Sequence, residues 1–428
     1  MKNRHMQKNI SFIVNNGLCM GCGLCQDSCH KKCIKIQHKK GINIPAYVNK
    51  NLCNQCGICV KVCPGKGCDI GSLSEKLFDD RRTKQDTHVG KYISCYAGYS
   101  NDYDIRYNGA SGGMVSQILI YLLEKKIITG AAVVGFKQDE PLTPYVYIAK
   151  TKEQILAAQS SKYCTVSYET TAQQILNTPG KYVVVGLPCL IQGFRNYENT
   201  FKLFKERVIG YFALYCSATK NIYSQDYLLY RYQINRQNIS SFTYRGEGCM
   251  GSMIAKNKTG NKLIEIELLK YYVPLRGFFN ISRCALCIDH YGELADVAFG
   301  DIHIGEFLKD NIGISSWVSR NRYWDNVIKQ ISDEGFISMK EIDIELLKKS
   351  QKYCFKHKKG KGIVAAFTVH SFLGKKNPEY DIPFLAGWDM KFVIREFINI
   401  ACRFIGRHKS LWWIIKMLDK NYAETLNL

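Results

Sequence analysis

Eight cysteines near the start of the chain fall into two runs that share one spacing, Cys-x2-Cys-x2-Cys-x3-Cys. The runs are Cys19, Cys22, Cys25 and Cys29, then Cys53, Cys56, Cys59 and Cys63. Three thiolates two residues apart can wrap one iron–sulfur cube, whereas the fourth, three residues on, points toward a second cube. We therefore predict two [4Fe–4S] clusters, one held by Cys19, Cys22, Cys25 and Cys63 and the other by Cys53, Cys56, Cys59 and Cys29.

Structural zinc is the alternative, because zinc sites also use Cys-x2-Cys pairs. Two interlocked runs, the second followed by Pro64, favour iron–sulfur clusters instead. In the first run His30 stands where proline is common, and Cys33 and Cys68 are further thiols close by. Free cysteine packs readily in apolar surroundings, so we expect Cys33 and Cys68 to be bystanders, with ligand exchange as the alternative.

Length, cysteine content and charge limit the class of protein. A chain of 428 residues can form two or three domains. The cysteine count of 19 is odd and residues 1–17 lack an apolar signal segment, so we expect a cytoplasmic protein without a membrane-spanning helix. The formal net charge of +22 falls by about six if three clusters each carry about −2. No nucleic-acid-binding motif accompanies this charge, and we expect no nucleic-acid partner.

Four segments follow one another in the predicted α/β fold. They are a small α+β dicluster ferredoxin-type module (10–72), a polar linker (73–95), an α/β domain (96–345) and a basic helical C-terminal segment (346–428). In the α/β domain, Ser111 has the position of an N-cap before a helical pattern. Residues 182–187 and 208–215 are continuous apolar runs typical of buried strands, and residues 239–268 have the pattern of antiparallel strands.

Four later cysteines lie at the ends of predicted strands. Cys189 and Cys216 each follow a buried strand, whereas Cys284 and Cys287 form a Cys-x2-Cys pair before another. Loops that leave the carboxyl ends of strands in an α/β sheet meet at one edge. We therefore predict a third [4Fe–4S] cluster, the alternative being two small strand-end residues and an incidental pair.

The order of the motifs resembles the coenzyme F-420 hydrogenase/dehydrogenase β-subunit family, over about residues 15–305. The motifs are Ala110-Ser111-Gly112-Gly113, Ser161-Lys162-Tyr163, Val185-Gly186-Leu187-Pro188-Cys189, a strand ending in Cys216, Arg283-Cys284-x2-Cys287, and Asp296-Val297-Ala298-Phe299-Gly300-Asp301. The resemblance implies a flavin-binding domain that holds FAD beside an iron–sulfur cluster. By position, Ser111, Gly112 and Gly113 would approach the flavin phosphates, and Lys162 and Asp301 would lie at the catalytic site.

The resemblance also implies an oxidoreductase that exchanges a hydride with a deazaflavin or another small molecule. Its partner would be an electron-transfer protein or another redox subunit. A non-enzymatic relay subunit, a ferredoxin fused to a docking domain, is the alternative, and flavin content separates the two. Ser217 departs from the family pattern, in which histidine or glycine often follows the cysteine.

Residues 391–418 combine apolar and aromatic residues with six lysines and arginines, the composition of an amphipathic helix. Such a helix more often packs on its own core or on a partner subunit. Peripheral contact with the inner membrane surface, with Trp412 and Trp413 in the headgroup layer, is the alternative.

Overall fold

The computed structural model describes residues 9–39, 42–49, 51–275 and 277–425. The strands are β1 (Ile34–Lys39), β2 (Ile42–Val48), β3 (Gly67–Cys68), β4 (Lys84–Asp86), β5 (Gly90–Tyr92), β6 (Ser94–Ser100), β7 (Gly130–Phe136), β8 (Pro144–Ala149), β9 (Tyr182–Gly186), β10 (Val208–Leu214), β11 (Ser241–Gly246), β12 (Ser252–Lys256), β13 (Lys262–Glu267), β14 (Val297–Asp301), β15 (Ser315–Ser319), β16 (Ile337–Glu341) and β17 (Glu379–Tyr380).

The helices are α1 (Ser11–Asn15), α2 (Leu24–Asp27), α3 (Ile58–Lys61), α4 (Ile70–Leu77), α5 (Tyr103–Tyr107), α6 (Met114–Glu124), α7 (Lys152–Ala157), α8 (Thr171–Asn177), α9 (Pro188–Glu198), α10 (Lys202–Arg207), α11 (Tyr223–Arg231), α12 (Leu268–Leu275), α13 (Arg322–Asp333), α14 (Ile344–Ser350), α15 (Lys352–Lys358), α16 (Lys361–Phe372), α17 (Met390–Gly406) and α18 (Trp412–Thr425). Short 3-10 helices occur at Pro64–Lys66, Arg236–Asn238, Ser282–Leu286, Gly305–Lys309 and Lys409–Leu411.

An eight-stranded mixed sheet organises the α/β domain in the order β16-β6-β15-β14-β10-β9-β7-β8. The four central strands β14, β10, β9 and β7 run parallel, and the outer strands are antiparallel to their neighbours. Apolar residues of α6 and α13 cover one face, and those of α8, α9 and α10 cover the other. The continuous apolar runs of the sequence form β9 and β10, as predicted, because strands covered on both faces have no polar side.

The predicted N-cap of α6 is wrong. The helix begins at Met114, and its N-cap is Gly113, which has a left-handed backbone with φ +72°. The Ser111 hydroxyl instead donates to the carbonyl oxygen of Ile314, at 2.8 Å. The Ser111 hydroxyl, which the sequence pattern had assigned to the N-terminus of α6, is therefore hydrogen-bonded to the segment before β15.

The predicted antiparallel segment is a separate three-stranded sheet in the order β11-β12-β13. Its inward side chains, such as Phe242 and Met253, share a core with α11, α12 and α18. The last helix therefore packs against a part of the molecule far from it in sequence.

The ferredoxin-type module lies directly on the α/β domain. The Tyr168 amide donates to the carbonyl oxygen of Cys22 at 2.8 Å, and the Ala172 amide donates to the Asp27 carboxylate at 2.7 Å. The predicted linker 73–95 contains the end of α4, the hairpin β4-β5 and the start of β6. In the C-terminal segment, β17 pairs in parallel with β3 of the ferredoxin-type module.

The predicted C-terminal segment is helical, and some of its apolar side chains are buried whereas others are exposed. Val393 and Trp412 are buried, whereas Ile394, Phe397 and Trp413 are exposed. Residues 426–428, the end of the predicted segment 346–428, lie outside the described residues. No helix within the described ranges is long and apolar enough to cross a membrane.

Candidate functional site

The structure brings Cys19, Cys22, Cys25 and Cys63 together, although Cys63 belongs to the second run. We call these four residues the first cysteine set. Burial, followed by the thiolates of Cys22, Cys63 and Cys19, raises the pKa of the Cys25 thiol. Burial, Cys22 and Cys19 likewise raise the pKa of the Cys63 thiol. Thiolates so close in a buried site repel one another unless a cation binds them, so this environment suits metal ligation.

Cys29, Cys53, Cys56 and Cys59 form a second cysteine set, which lines one small cavity. Burial raises the pKa of the Cys59 thiol, and the nearest thiolates that add to this effect are those of Cys29 and Cys56. Cys33 lines the same cavity, with its Sγ 3.5 Å from the Sγ of Cys29. The sequence-predicted exchange of Cys29 and Cys63 between the runs is therefore the grouping found in the fold.

The two extra thiols have different surroundings. Cys33 lies against the second cysteine set, whereas the buried Cys68 Sγ is 3.9 Å from the Asn196 side-chain oxygen. Burial raises the pKa of Cys68 to about 12, with Asp69 adding to that rise. Cys68 thus behaves as a small buried residue at the junction of the module and α9.

The thiols of these sets are not gathered at one point. In the part of the chain that the structure describes, no three His, Cys, Asp or Glu side chains are grouped closely enough to hold one metal ion. The ligands of a single zinc ion must surround one point, whereas the thiolates of a [4Fe–4S] cluster bind four different irons and lie farther apart.

Cys189, Cys216, Cys284 and Cys287 also come together, and we call them the third cysteine set. Burial is the main cause that raises the pKa of the Cys189 thiol, and the nearby thiolates of Cys287, Cys216 and Cys284 add to the rise. The sheet explains this meeting: α9 begins beside Cys189 directly after β9, Cys216 follows the neighbouring β10, and the Cys216 amide donates to the carbonyl oxygen of His290. That contact brings the loop carrying Cys284 and Cys287 to the carboxyl edge of the sheet.

The first and third cysteine sets are neighbours. The Cys22 thiolate is among the groups that raise the pKa of Cys189. Arg283, beside Cys284, donates to the carbonyl oxygens of Pro64 and Gly65, each at 3.1 Å, directly after Cys63. A buried arginine therefore joins the two sets, a role that its place in the sequence motif did not reveal.

The Ser111-Gly112-Gly113 segment is held by the sheet. The Gly112 amide donates to the Ser315 hydroxyl at 2.9 Å. A Cβ atom at Gly112 would lie 2.6 Å from the carbonyl oxygen of Gly98, so close backbone packing already requires glycine. The N-cap residue Gly113 has no side chain to cap α6, so this residue offers no side-chain acceptor to the amide groups at the positive dipole end of the helix.

Lys162 and Asp301 lie on either side of Arg245. The Lys162 ammonium donates to the carbonyl oxygens of Ala158, Gln159 and Ser160, at 2.5 to 3.1 Å, and burial lowers its pKa to about 7. The Ser160 hydroxyl in turn bonds the Arg245 carbonyl oxygen, and the Arg245 guanidinium pairs with Asp301 at 2.7 Å. Burial would raise the pKa of Asp301, but Arg245 and His303 lower it overall.

Arg245 is a candidate that sequence reasoning missed. It is 3% exposed, and its second terminal nitrogen has no hydrogen-bond partner among the described residues. A cavity of about 510 Å³ adjoins Ser160 and Gly246, next to Arg245 in space and in sequence, although Arg245 itself is not part of its wall. The charged residues of that wall are Asp102, Asp104, Glu247, Lys152 and Lys256. A buried cation with a free donor is suited to bind an anionic or carbonyl group of a ligand.

Asp301 is linked to the third cysteine set through two side chains. Gln351 donates to the Asp301 carbonyl oxygen at 2.8 Å and its other amide atom lies 3.2 Å from the His290 ring. His290 bonds Cys216 as described. A second cavity, of about 640 Å³, opens on the other side of this set, where Cys284 and Ser217 form part of its wall.

Comparison with known families identifies both parts of the chain. Residues 95–171 match the model "Coenzyme F-420 hydrogenase/dehydrogenase, beta subunit N-term", and residues 180–345 match the corresponding C-terminal model. Together they span more than half of the chain. Residues 18–67 match a 4Fe-4S dicluster domain.

Individual relatives are distant but extensive. The coenzyme F-420 hydrogenase subunit beta of Methanosarcina barkeri is 23% identical over 294 residues, which cover 63% of this chain and 93% of the relative. A coenzyme F-420-dependent sulfite reductase of Methanocaldococcus jannaschii is 24% identical, over 78% of this chain and 49% of the relative. A chain of the F-420-reducing [NiFe] hydrogenase complex of Methanosarcina barkeri shares the fold, with a TM-score of 0.55, 20% identity, and coverage of 69% of this chain and 99% of that one.

Proposed function

Because this chain belongs to the coenzyme F-420 hydrogenase/dehydrogenase β-subunit family, we propose that it is an iron–sulfur flavoprotein oxidoreductase. Its ferredoxin-type module and the third cysteine set would hold three [4Fe–4S] clusters, and its α/β domain would hold FAD. Electrons would pass between the clusters and the flavin, and a small molecule would exchange a hydride with the flavin.

The observation that carries this proposal is the position of the third cysteine set. It lies between the first cysteine set, through Cys22 and Arg283, and the edge of the sheet that carries Asp301, through His290 and Gln351. A relay that ended at the ferredoxin-type module would not need four more converging cysteines. The order of sets along the molecule supports a path toward the carboxyl edge, where α/β sheets bind ligands.

Residues around Arg245 fit a flavin. FAD supplies one-electron exchange on the cluster side and two-electron exchange on the substrate side. The free donor of Arg245 would bind one of its anionic or carbonyl groups, and the first turn of α6, after Ser111, Gly112 and Gly113, would face its phosphates. The donors of Lys162 already bind three backbone carbonyl oxygens, so Lys162 would act on the flavin through its positive charge and by holding the loop 158–160. Asp301 would hold the Arg245 guanidinium in orientation.

The substrate and partner follow from the same resemblance. Relatives act as subunits of F-420 hydrogenases or as an F-420-dependent sulfite reductase, so we propose a deazaflavin or a similar small hydride carrier as substrate, and a redox subunit as partner. The exposed apolar side chains of α17 and α18, Ile394, Phe397 and Trp413, are suited to a protein partner. Peripheral contact of this face with the inner membrane surface is the alternative, and sedimentation with anionic lipid vesicles distinguishes them.

Flavin content tests the proposal against a relay subunit. The protein, purified anaerobically, should contain about one FAD per chain as well as iron and sulfide. The Lys162→Met variant should lose flavin and keep its iron, whereas Lys205→Met, on the exposed face of α10, should keep both. Gly112→Leu is a poorer test, because its side chain would collide with the strand backbone whether or not flavin binds there. Iron and sulfide without FAD in the unaltered protein would establish the relay alternative.

A further inference from the structure

Helix α15 (Lys352–Lys358) follows the last residue, 345, that the family models match. It turns two side chains inward, Cys354 and Lys358, which are 7% and 5% exposed. They are four residues apart and therefore lie on one face of the helix. Tyr353 and Lys356, on other faces, are exposed. The inward face of α15 is thus built of a thiol and an ammonium group.

That face is directed at the third cysteine set. Helix α15 packs against the 3-10 helix Ser282–Leu286, which carries Cys284. Cys284, Cys354 and Lys358 line the same cavity, and the Cys354 Sγ lies 3.0 Å from the Ser217 hydroxyl, directly after Cys216. The residue at which this chain departs from the family pattern, Ser217, is therefore the one that contacts α15.

Lys358 is close to three members of the third cysteine set. Cys287, Cys216 and Cys284 are the groups whose charge acts most strongly on it, and Cys284 shares its cavity. A [4Fe–4S] cluster held by four thiolates carries about −2, so a cluster at this set would favour the charged form of the buried Lys358.

A buried positive charge beside a cluster changes its redox behaviour. A [4Fe–4S] cluster with four thiolates becomes more negative when it takes up an electron, so a fixed cation stabilises the reduced form more than the oxidised form. Arg283 adjoins both sets, since it lies beside Cys284 and bonds the carbonyl oxygens directly after Cys63. Lys358 instead shares a cavity with Cys284, and no member of the first cysteine set lines that cavity. The charge of Lys358 is therefore directed at the third set.

We infer that the positive charge of Lys358, on α15, raises the reduction potential of the third cluster. The third cluster then accepts electrons from the neighbouring cluster of the ferredoxin-type module. One electron leaves the reduced cluster of the first set and enters the oxidised cluster of the third set, with no bond made or broken. The inference rests on the proposed third cluster. It assigns a function to a helix that lies beyond the matched family region.

The test is an anaerobic redox titration of the full chain, followed by electron paramagnetic resonance of each cluster. Lys358→Met should move the midpoint potential of the third cluster to a more negative value and leave the two ferredoxin-type clusters unchanged. Lys356→Met removes the same charge from the exposed side of the same helix and should move none of them. Lys358→Arg should keep the midpoint close to that of the unaltered protein.

The outcomes separate the inference from the proposed function. Absence of a third signal in the unaltered protein would refute the proposed third cluster itself. A third cluster that is present and has the same midpoint in Lys358→Met as in the unaltered protein would refute only the inference. If methionine disturbs assembly, Lys358→Gln gives the same comparison with a polar side chain. A merely structural Lys358 would lower iron content without shifting any midpoint.

Discussion

The ferredoxin-type cysteine sets and the third cysteine set place the same ligand type by different means. In the module, two short runs supply all eight thiols, and chain spacing alone brings them close. In the α/β domain, Cys189, Cys216, Cys284 and Cys287 are spread over almost a hundred residues. The parallel neighbours β9 and β10 bring Cys189 and Cys216 to one edge, and the bond of the Cys216 amide to the His290 carbonyl oxygen brings the loop with Cys284 and Cys287 there. The module sets do not depend on the sheet for their geometry. The third set does, and any segment that packs against the sheet there, such as α15, can place a buried cation beside it.

The largest effect should follow from breaking the exchange of ligands within the module. Cys29→Ser should remove the cluster that is otherwise held by Cys53, Cys56 and Cys59, about four irons per chain, because the serine oxygen is a poor ligand for this cluster. Cys33→Ser, whose thiol lies beside Cys29, should keep the full iron content. Loss of the cluster held by Cys19, Cys22 and Cys25 instead would show that each run binds its own cluster.

The assembled site should fail independently of the local ones. Cys287→Ser should remove or damage the third cluster and slow flavin reduction by the ferredoxin-type clusters, while those clusters and the bound flavin remain. Rapid mixing that follows flavin and iron–sulfur absorbance together measures this. Cys402→Ser, a half-buried cysteine of α17, is the matched control and should behave like the unaltered protein. Normal cluster-to-flavin transfer in Cys287→Ser would place the third cluster off the path.

The junction between the two sites should depend on Arg283. Arg283→Met leaves the carbonyl oxygens of Pro64 and Gly65 without their charged donor, and should lower the free energy of unfolding by about 1.5–3 kcal/mol. Anaerobic denaturant unfolding followed by cluster absorbance measures the change. Arg236→Met, whose side chain is 51% exposed, should cost little. Equal stability of the two variants would mean that Arg283 does not hold the sites together.

The smallest effect concerns the contact of the C-terminal segment with the module. The Asp381 carboxylate accepts from the amides of Gly71 and Ser72, at 2.8 and 2.7 Å, in the first turn of α4. Asp381→Ala should therefore lower stability by about 1 kcal/mol, the usual value of a lost helix cap. Asp79→Ala, exposed beyond the end of α4, should change stability by much less. No difference between these variants would show that the segment does not stabilise the module.

The sequence predicted most of what depends on neighbouring residues. The cysteine spacing, the strands β9 and β10 and the sheet β11-β12-β13 all follow from local patterns. The start of α6 did not, because Ser111 has a hydrogen-bond partner, Ile314, about two hundred residues away. A local capping pattern cannot reveal that the serine faces another strand.

The charged residues around the third cysteine set could not be predicted from the sequence either, because their contacts also join distant parts of the chain. Arg283 was visible as part of a motif, but its bonds to the loop after Cys63 require the module to be docked. Lys358 is one of 59 basic residues, and nothing in its neighbours distinguishes it from Lys356. Arg245 follows no motif that marks it as a ligand residue. Only packing shows which of these cations are buried.

The central claim is that a third cluster in the α/β domain accompanies the two clusters of the ferredoxin-type module. The most direct test measures iron and sulfide per chain together after anaerobic purification. The account predicts about twelve irons and about twelve sulfides per chain. A value near eight of each would remove the third cluster. Stoichiometric zinc without sulfide would contradict the whole arrangement.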